Sequence, residues 1–113
     1  IKNIIKKSIM TIQLNTDKNL RVHEEFGTKL DDLLSQELSR FSEHITRLEV
    51  HLSDENGSKE SANDKRCLLE ARLEGRQPMA VTALANTYEL AVNTAIDKLK
   101  AALDTILGRL RNH

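Results

Sequence analysis

The chain has 113 residues, 39% of them apolar and 30% charged, which suits one hydrophobic core and is too short for two. Its 17 Lys and Arg balance 17 Asp and Glu, so no global field draws it to nucleic acid, membrane or acidic substrates, and any polyanion contact must come from local patches. The lone cysteine, Cys67, excludes an internal disulfide and every Cys-pair zinc pattern, which fits a reducing compartment.

No apolar run approaches the roughly 20 residues that span a bilayer, and the basic start Ile1 to Lys7 lacks the apolar centre of a signal peptide. The expected location is therefore cytoplasmic. Residues 1–9, ahead of a strand-like run that opens at Met10, are expected to be upstream or cloning-derived sequence, and residues 10–113 one domain.

From Met10 to Asn15 apolar Met10, Ile12 and Leu14 alternate with polar neighbours, the period of a half-buried strand. Polar residues 16–19 break it. From Val22 the apolar positions Phe26, Leu30, Leu33, Leu34, Leu38 and Phe41 recur at three and four, which predicts a first helix reaching Phe41. Gly27 inside it costs about 1 kcal/mol relative to Ala, so packing has to hold this helix together. Alternation returns from Ile45, where Leu48, Val50 and Leu52 interleave with Arg47, Glu49, His51 and Ser53, giving a second strand. Residues 54–63 read as a polar connection. Cys67, Leu69, Ala71 and Leu73 mark strand three, Gly75 to Pro78 a turn, and Met79, Val81, Ala83 and Ala85 strand four, although an Ala-rich run also suits a helix. The last element is a long helix with its stripe on Tyr88, Val92, Ala95, Leu99, Leu103, Ile106 and Leu110, capped by Asn86 or Thr87.

The order β-α-β-β-β-α predicts an α+β fold, a two-layer sandwich of a four-stranded sheet with two helices on one face. Strands two to four should form an antiparallel meander. The other face of the sheet is left open, and function is best sought there.

Met10-Thr-Ile-Gln-Leu14, Leu20-Arg-Val22, Ala91-Val92 and Ile96-Asp-Lys-Leu99 resemble the opening strand, the approach to the first helix and the helix motif of the ribosome hibernation-promoting factors, also called ribosome-associated inhibitors or sigma-54 modulation proteins. The likeness covers most of Met10 to Arg111. It implies a fold similar to double-stranded RNA-binding domains, and a stress-response role on the small ribosomal subunit and its rRNA. There, members of this length block the channel for messenger and transfer RNA. The chain resembles the short form, without the C-terminal domain by which long members dimerise ribosomes. It departs from the family pattern at Glu89, Ala101, Thr105, Gly27 and Leu33, and most family members are more basic.

Phosphate contact needs clustered Lys and Arg. The candidates are Lys98, Lys100, Arg109 and Arg111 on the second helix and Arg66, Arg72 and Arg76 in or beside strand three. If strands two and three pair, Arg47 joins Arg66 and Arg72 on the open face. Unaided by the resemblance, such mixed charge reads as an ordinary solvated surface. His23, His44, His51 and His113 are scattered, with no metal-ligand helical spacing, and Glu49 with His51 on one strand face makes no pocket, so no catalytic residue, metal or cofactor is expected. Cys67 and Tyr88 read as core residues. Leu68 and Leu84 fall on the open face. They carry the rival reading, a homodimer formed through that face or the long C-terminal helix, without RNA.

Overall fold

A computed structural model of the chain describes residues 10–16, 24–54 and 64–111, the side chains of residues 24, 25 and 109–111 excepted. The leading segment, the approach at Leu20 to Val22, the polar connection beyond Asp54, and His23 and His113 all lie outside the described residues.

Strand β1 (Thr11–Thr16) turns Ile12 and Leu14 toward the core. Helix α1 (Glu24–Glu37) buries Leu30 and Leu34 and lays Phe26 and Leu33 at the core's margin, as the three-four spacing requires. It stops short of the expected end. The last α-type bond runs from the Leu38 amide to the Leu34 carbonyl, after which Ser39–Phe41 winds as a 3-10 turn. In that tighter winding residues three apart eclipse, which suits Leu38 and Phe41, both buried.

Strand β2 (Ile45–Asp54) carries a bulge between Ile45 and Arg47. The extra residue shifts the side-chain parity, so Ile45 and Leu48 are both buried although an odd spacing separates them. Strand β3 (Lys65–Leu73) starts two residues earlier than the apolar alternation suggests and buries Cys67, Leu69, Ala71 and Leu73. The turn to β4 places Gly75 at φ 71°, a conformation glycine adopts without steric cost, and is closed by the Arg76 amide donating to the Leu73 carbonyl at 3.2 Å. Strand β4 (Met79–Ala85) is a strand despite its alanines, because Met79, Val81 and Ala83 pair with the buried β3 residues Ala71, Leu69 and Cys67.

The last helix, α2 (Tyr88–Arg111), packs over β3 and β4. Thr87 is its cap: the hydroxyl accepts from the Leu90 amide at 3.1 Å. The buried stripe is Ala91, Val92, Ala95, Ile96, Leu99, Leu103 and Leu107, with Tyr88 and Ile106 at its margin, slightly rotated from the predicted one.

The sheet order is β1-β2-β3-β4, with β1 parallel to β2 and the remaining pairs antiparallel, so the expected meander of β2 to β4 is present. Core and helices share one face; the alternate residues of every strand point to the uncovered one. Two ion pairs, one exposed and one part-buried, tie the helical layer together. Arg40 grips Asp104 through both guanidinium nitrogens at 2.7 and 3.0 Å, and Lys100 reaches Glu37 at 2.8 Å.

Candidate nucleic-acid interface

The strand register resolves the uncovered face into rows. Thr11, Arg47 and Arg72 form the first; Gln13, Glu49, Glu70 and Ala80 the second; Asn15, His51, Leu68 and Thr82 the third; Ser53, Arg66 and Leu84 the fourth. Pairing of β2 with β3 therefore puts Arg47, Arg66 and Arg72 on one face as expected, but it does not make them a single patch. Arg47 and Arg72 stand directly opposite each other at one end, and Arg66 lies six residues along β3 from Arg72, or roughly 20 Å at the rise of a strand.

Two guanidinium groups facing each other repel. Glu49 answers that repulsion: its Oε2 lies 2.9 Å from Arg47 Nε and 3.8 Å from a terminal nitrogen of Arg72, while Oε1 lies 3.4 Å from His51 Nε2. Arg47 also donates to Gln13 Oε1, and Gln13 donates to Asn15 Oδ1 at 3.1 Å. The Glu49 side chain is only 15% exposed against 42% for Arg47 and 51% for Arg72, so the carboxylate sits beneath cations that stay open to solvent. A phosphate arriving here meets guanidinium groups before it meets the acid.

The other candidates scatter. Arg76 lies exposed in the β3–β4 turn, at the Arg72 end of the sheet. Neither Arg66 nor Arg76 has an acidic partner among the described residues. Lys98 donates to the backbone carbonyl of Thr82 at 2.8 Å and Lys100 is held by Glu37, so both are spent within the fold. Arg109 and Arg111 belong to the last turn of α2, and their side chains are not among those described. The open face thus offers one cationic end, Arg47, Arg72 and Arg76, and one outlying cation, Arg66.

Sequence reasoning missed Glu49 as the organiser of that end. Its signal was the alternation Arg47-x-Glu49-x-His51, which puts the three groups on one strand face. It also missed a cleft of ≈ 380 Å³ in the helical layer, with Leu30 and Val92 buried, Phe26 and Leu33 half-buried, and Lys29, Glu89 and Asn93 exposed around it. At the far end of the sheet Lys65 bonds Asp64 at 2.9 Å and Asp54 at 3.3 Å. The Asp64 hydrogen bond in particular raises the lysine's pKa above its ordinary value.

Residues 10–111 match the family described as sigma 54 modulation protein / S30EA ribosomal protein. The fold is similar to that of a ribosomal subunit interface protein from Coxiella burnetii, at a TM-score of 0.68 and 15% identity, covering 88% of this chain and 99% of that one. It is also similar to the N-terminal domain of Protein Y from Thermus thermophilus, at a TM-score of 0.67 and 18% identity, covering 86% and 99%. A search of curated protein sequences finds no match.

Proposed function

The chain belongs to the sigma 54 modulation protein / S30EA ribosomal protein family, and from that premise we propose that it is a ribosome hibernation factor that docks on the small ribosomal subunit and inhibits translation. The match over residues 10–111, which takes in every described strand and both described α-helices, carries this reading. The protein acts in the cytoplasm by occupying space and not by chemistry. No described helix is long and apolar enough to cross a membrane.

The cationic end formed by Arg47, Arg72 and Arg76 supports contact with rRNA phosphates. Phosphate contact is sequence-independent and releases counterions, so it weakens steeply with salt. Structured RNA is met through its backbone and shape, because the deep A-form major groove hides base edges from side chains. Arg109 and Arg111 extend the basic character at the end of α2, and Arg66 adds a contact farther along the sheet. Lys98 and Lys100 contribute only if RNA displaces their internal acceptors.

Sedimentation of ribosomes with the added protein tests the proposal. The protein is expected to travel with the small subunit at low salt, to dissociate as potassium chloride rises, and to lower protein synthesis in an extract. Charge reversal of Arg47, Arg72 and Arg76 together should weaken docking by more than tenfold, at roughly 1.4 kcal/mol per factor of ten. A protein that stays at the top of the gradient at low salt overturns the reading.

One observation favours a second reading. Leu84, 52% exposed, and the half-buried Leu68 are diagonal neighbours on the uncovered face, close enough for a shared apolar contact. A homodimer through this face would be broken by Leu84→Asp and indifferent to RNA.

A further inference from the structure

Glu49 and Glu70 are register partners in the β2–β3 ladder, and His51 is the next residue of β2 on the same face. One oxygen of each carboxylate and one ring nitrogen of His51 lie within 4.8 Å of one another. Carboxylates directly opposed across a strand pair repel. Glu49 has Arg47 and Arg72 on its Oε2, whereas Glu70 has no cationic partner among the described residues. Glu49, His51 and Glu70 thus converge, while both arginine contacts on Glu49 are made through Oε2.

We propose that Glu49, His51 and Glu70 form a binding site for zinc or a similar divalent transition-metal ion on the uncovered sheet face. An imidazole with two carboxylates is the donor set of zinc and its neighbours, whereas magnesium and calcium prefer oxygen alone. Tetrahedral ligands at about 2.0–2.2 Å from zinc sit roughly 3.5 Å from one another, so side-chain rotation on a fixed ladder closes the site. A fourth position stays open to water or to an external ligand. The support for the ligands is already built: Arg47 Nε donates to Glu49 Oε2 at 2.9 Å, and the same guanidinium donates through Nη2 to Gln13 Oε1. Hydrogen-bonded carboxylates of this kind orient the donors of known metal sites. The helical spacing sought in the sequence could not reveal the site, because its third ligand comes from the neighbouring strand. The proposal does not depend on ribosome binding.

Titration of the full chain with zinc chloride, followed by backbone amide chemical shifts and by thermal unfolding, tests it. The expected result is one saturable event with shifts centred on residues 49, 51 and 70 and a raised Tm. Glu70→Gln and His51→Ala should each weaken zinc at least about 10-fold. Both positions lie on the uncovered face, so the zinc-free Tm reports whether each variant is folded. His44→Ala, which removes an exposed imidazole in the turn before β2, should bind as the parent does. Shifts centred elsewhere, parent-like affinity in Glu70→Gln, or no saturable change overturns the proposal.

Discussion

The ammonium group of Lys98 lies 2.8 Å from the carbonyl oxygen of Thr82, the middle residue of edge strand β4. That strand, Met-Ala-Val-Thr-Ala-Leu-Ala, carries no charge of its own. Edge strands of this composition are templates for pairing with another chain, and a lysine at the edge is a common defence. Lys98→Ala is therefore expected to self-associate with rising concentration, at an intrinsic stability cost of at most about 1 kcal/mol for an exposed hydrogen bond. Analytical ultracentrifugation checks this, and a variant as monomeric as the parent would show the edge to be protected by other means.

Among the described residues, Glu49 is the one acid shared by Arg47 and Arg72. In Glu49→Gln the two guanidinium groups lose a shared counter-charge while the Glu49–Glu70 repulsion is relieved, so thermal stability should stay within about 0.5 kcal/mol of the parent. Affinity for the small subunit should rise, with a steeper dependence on salt, because no carboxylate competes with phosphate. Co-sedimentation across a potassium chloride series measures both. Unchanged affinity would place Arg47 and Arg72 outside the contact.

Leu34 of α1 and Leu99 of α2 are completely buried on the helical side of the core. Truncation of either to Ala should cost about 2–5 kcal/mol in urea unfolding, from lost transfer energy and the cavity left behind. Leu84→Ser, on the uncovered face, should stay within about 0.5 kcal/mol of the parent. An equal loss at Leu84 in dilute solution would mean that its face is covered, as the homodimer requires.

Cys67 is buried between strands, and burial pushes its thiol up to about 12 from an ordinary 9.0, against a small opposing effect of Arg66. The folded state therefore holds the proton more tightly than the unfolded state. Its contribution to stability is complete below pH 9 and is lost as the pH climbs toward 12. Alkylation by iodoacetamide at pH 8 should be negligible in the native protein and rapid in urea. Fast native labelling would show that the strands around Cys67 open readily.

The strands were legible in the sequence because period-two alternation reports burial directly: Leu48, Val50 and Leu52, then Cys67, Leu69 and Ala71, all face the core as expected. The end of α1 was not, because Leu38 and Phe41 satisfy α-helical and 3-10 winding alike, and only tertiary packing chooses between them. The bulge after Ile45 was equally hidden, since its effect is a change of parity against β3. For the site, placing Arg47, Arg66 and Arg72 on one face followed from alternation and pairing. Composition alone could not say which cations are already engaged. Lys98 and Lys100 looked like surface charge until the fold supplied a carbonyl and a carboxylate within their reach.

Among the described strand pairs only β1 and β2 run parallel, and α1 lies between these two strands in the chain. Strands β2, β3 and β4 and helix α2 follow one another in sequence and enclose most of the buried side chains, whereas Ile12 and Leu14 are only partly shielded. Non-local pairings carry the larger loop-closure cost and weakly buried segments the lower opening energy. The amides of β1 are accordingly expected to exchange with solvent before those of β2 to β4, each opening baring the margin of β2.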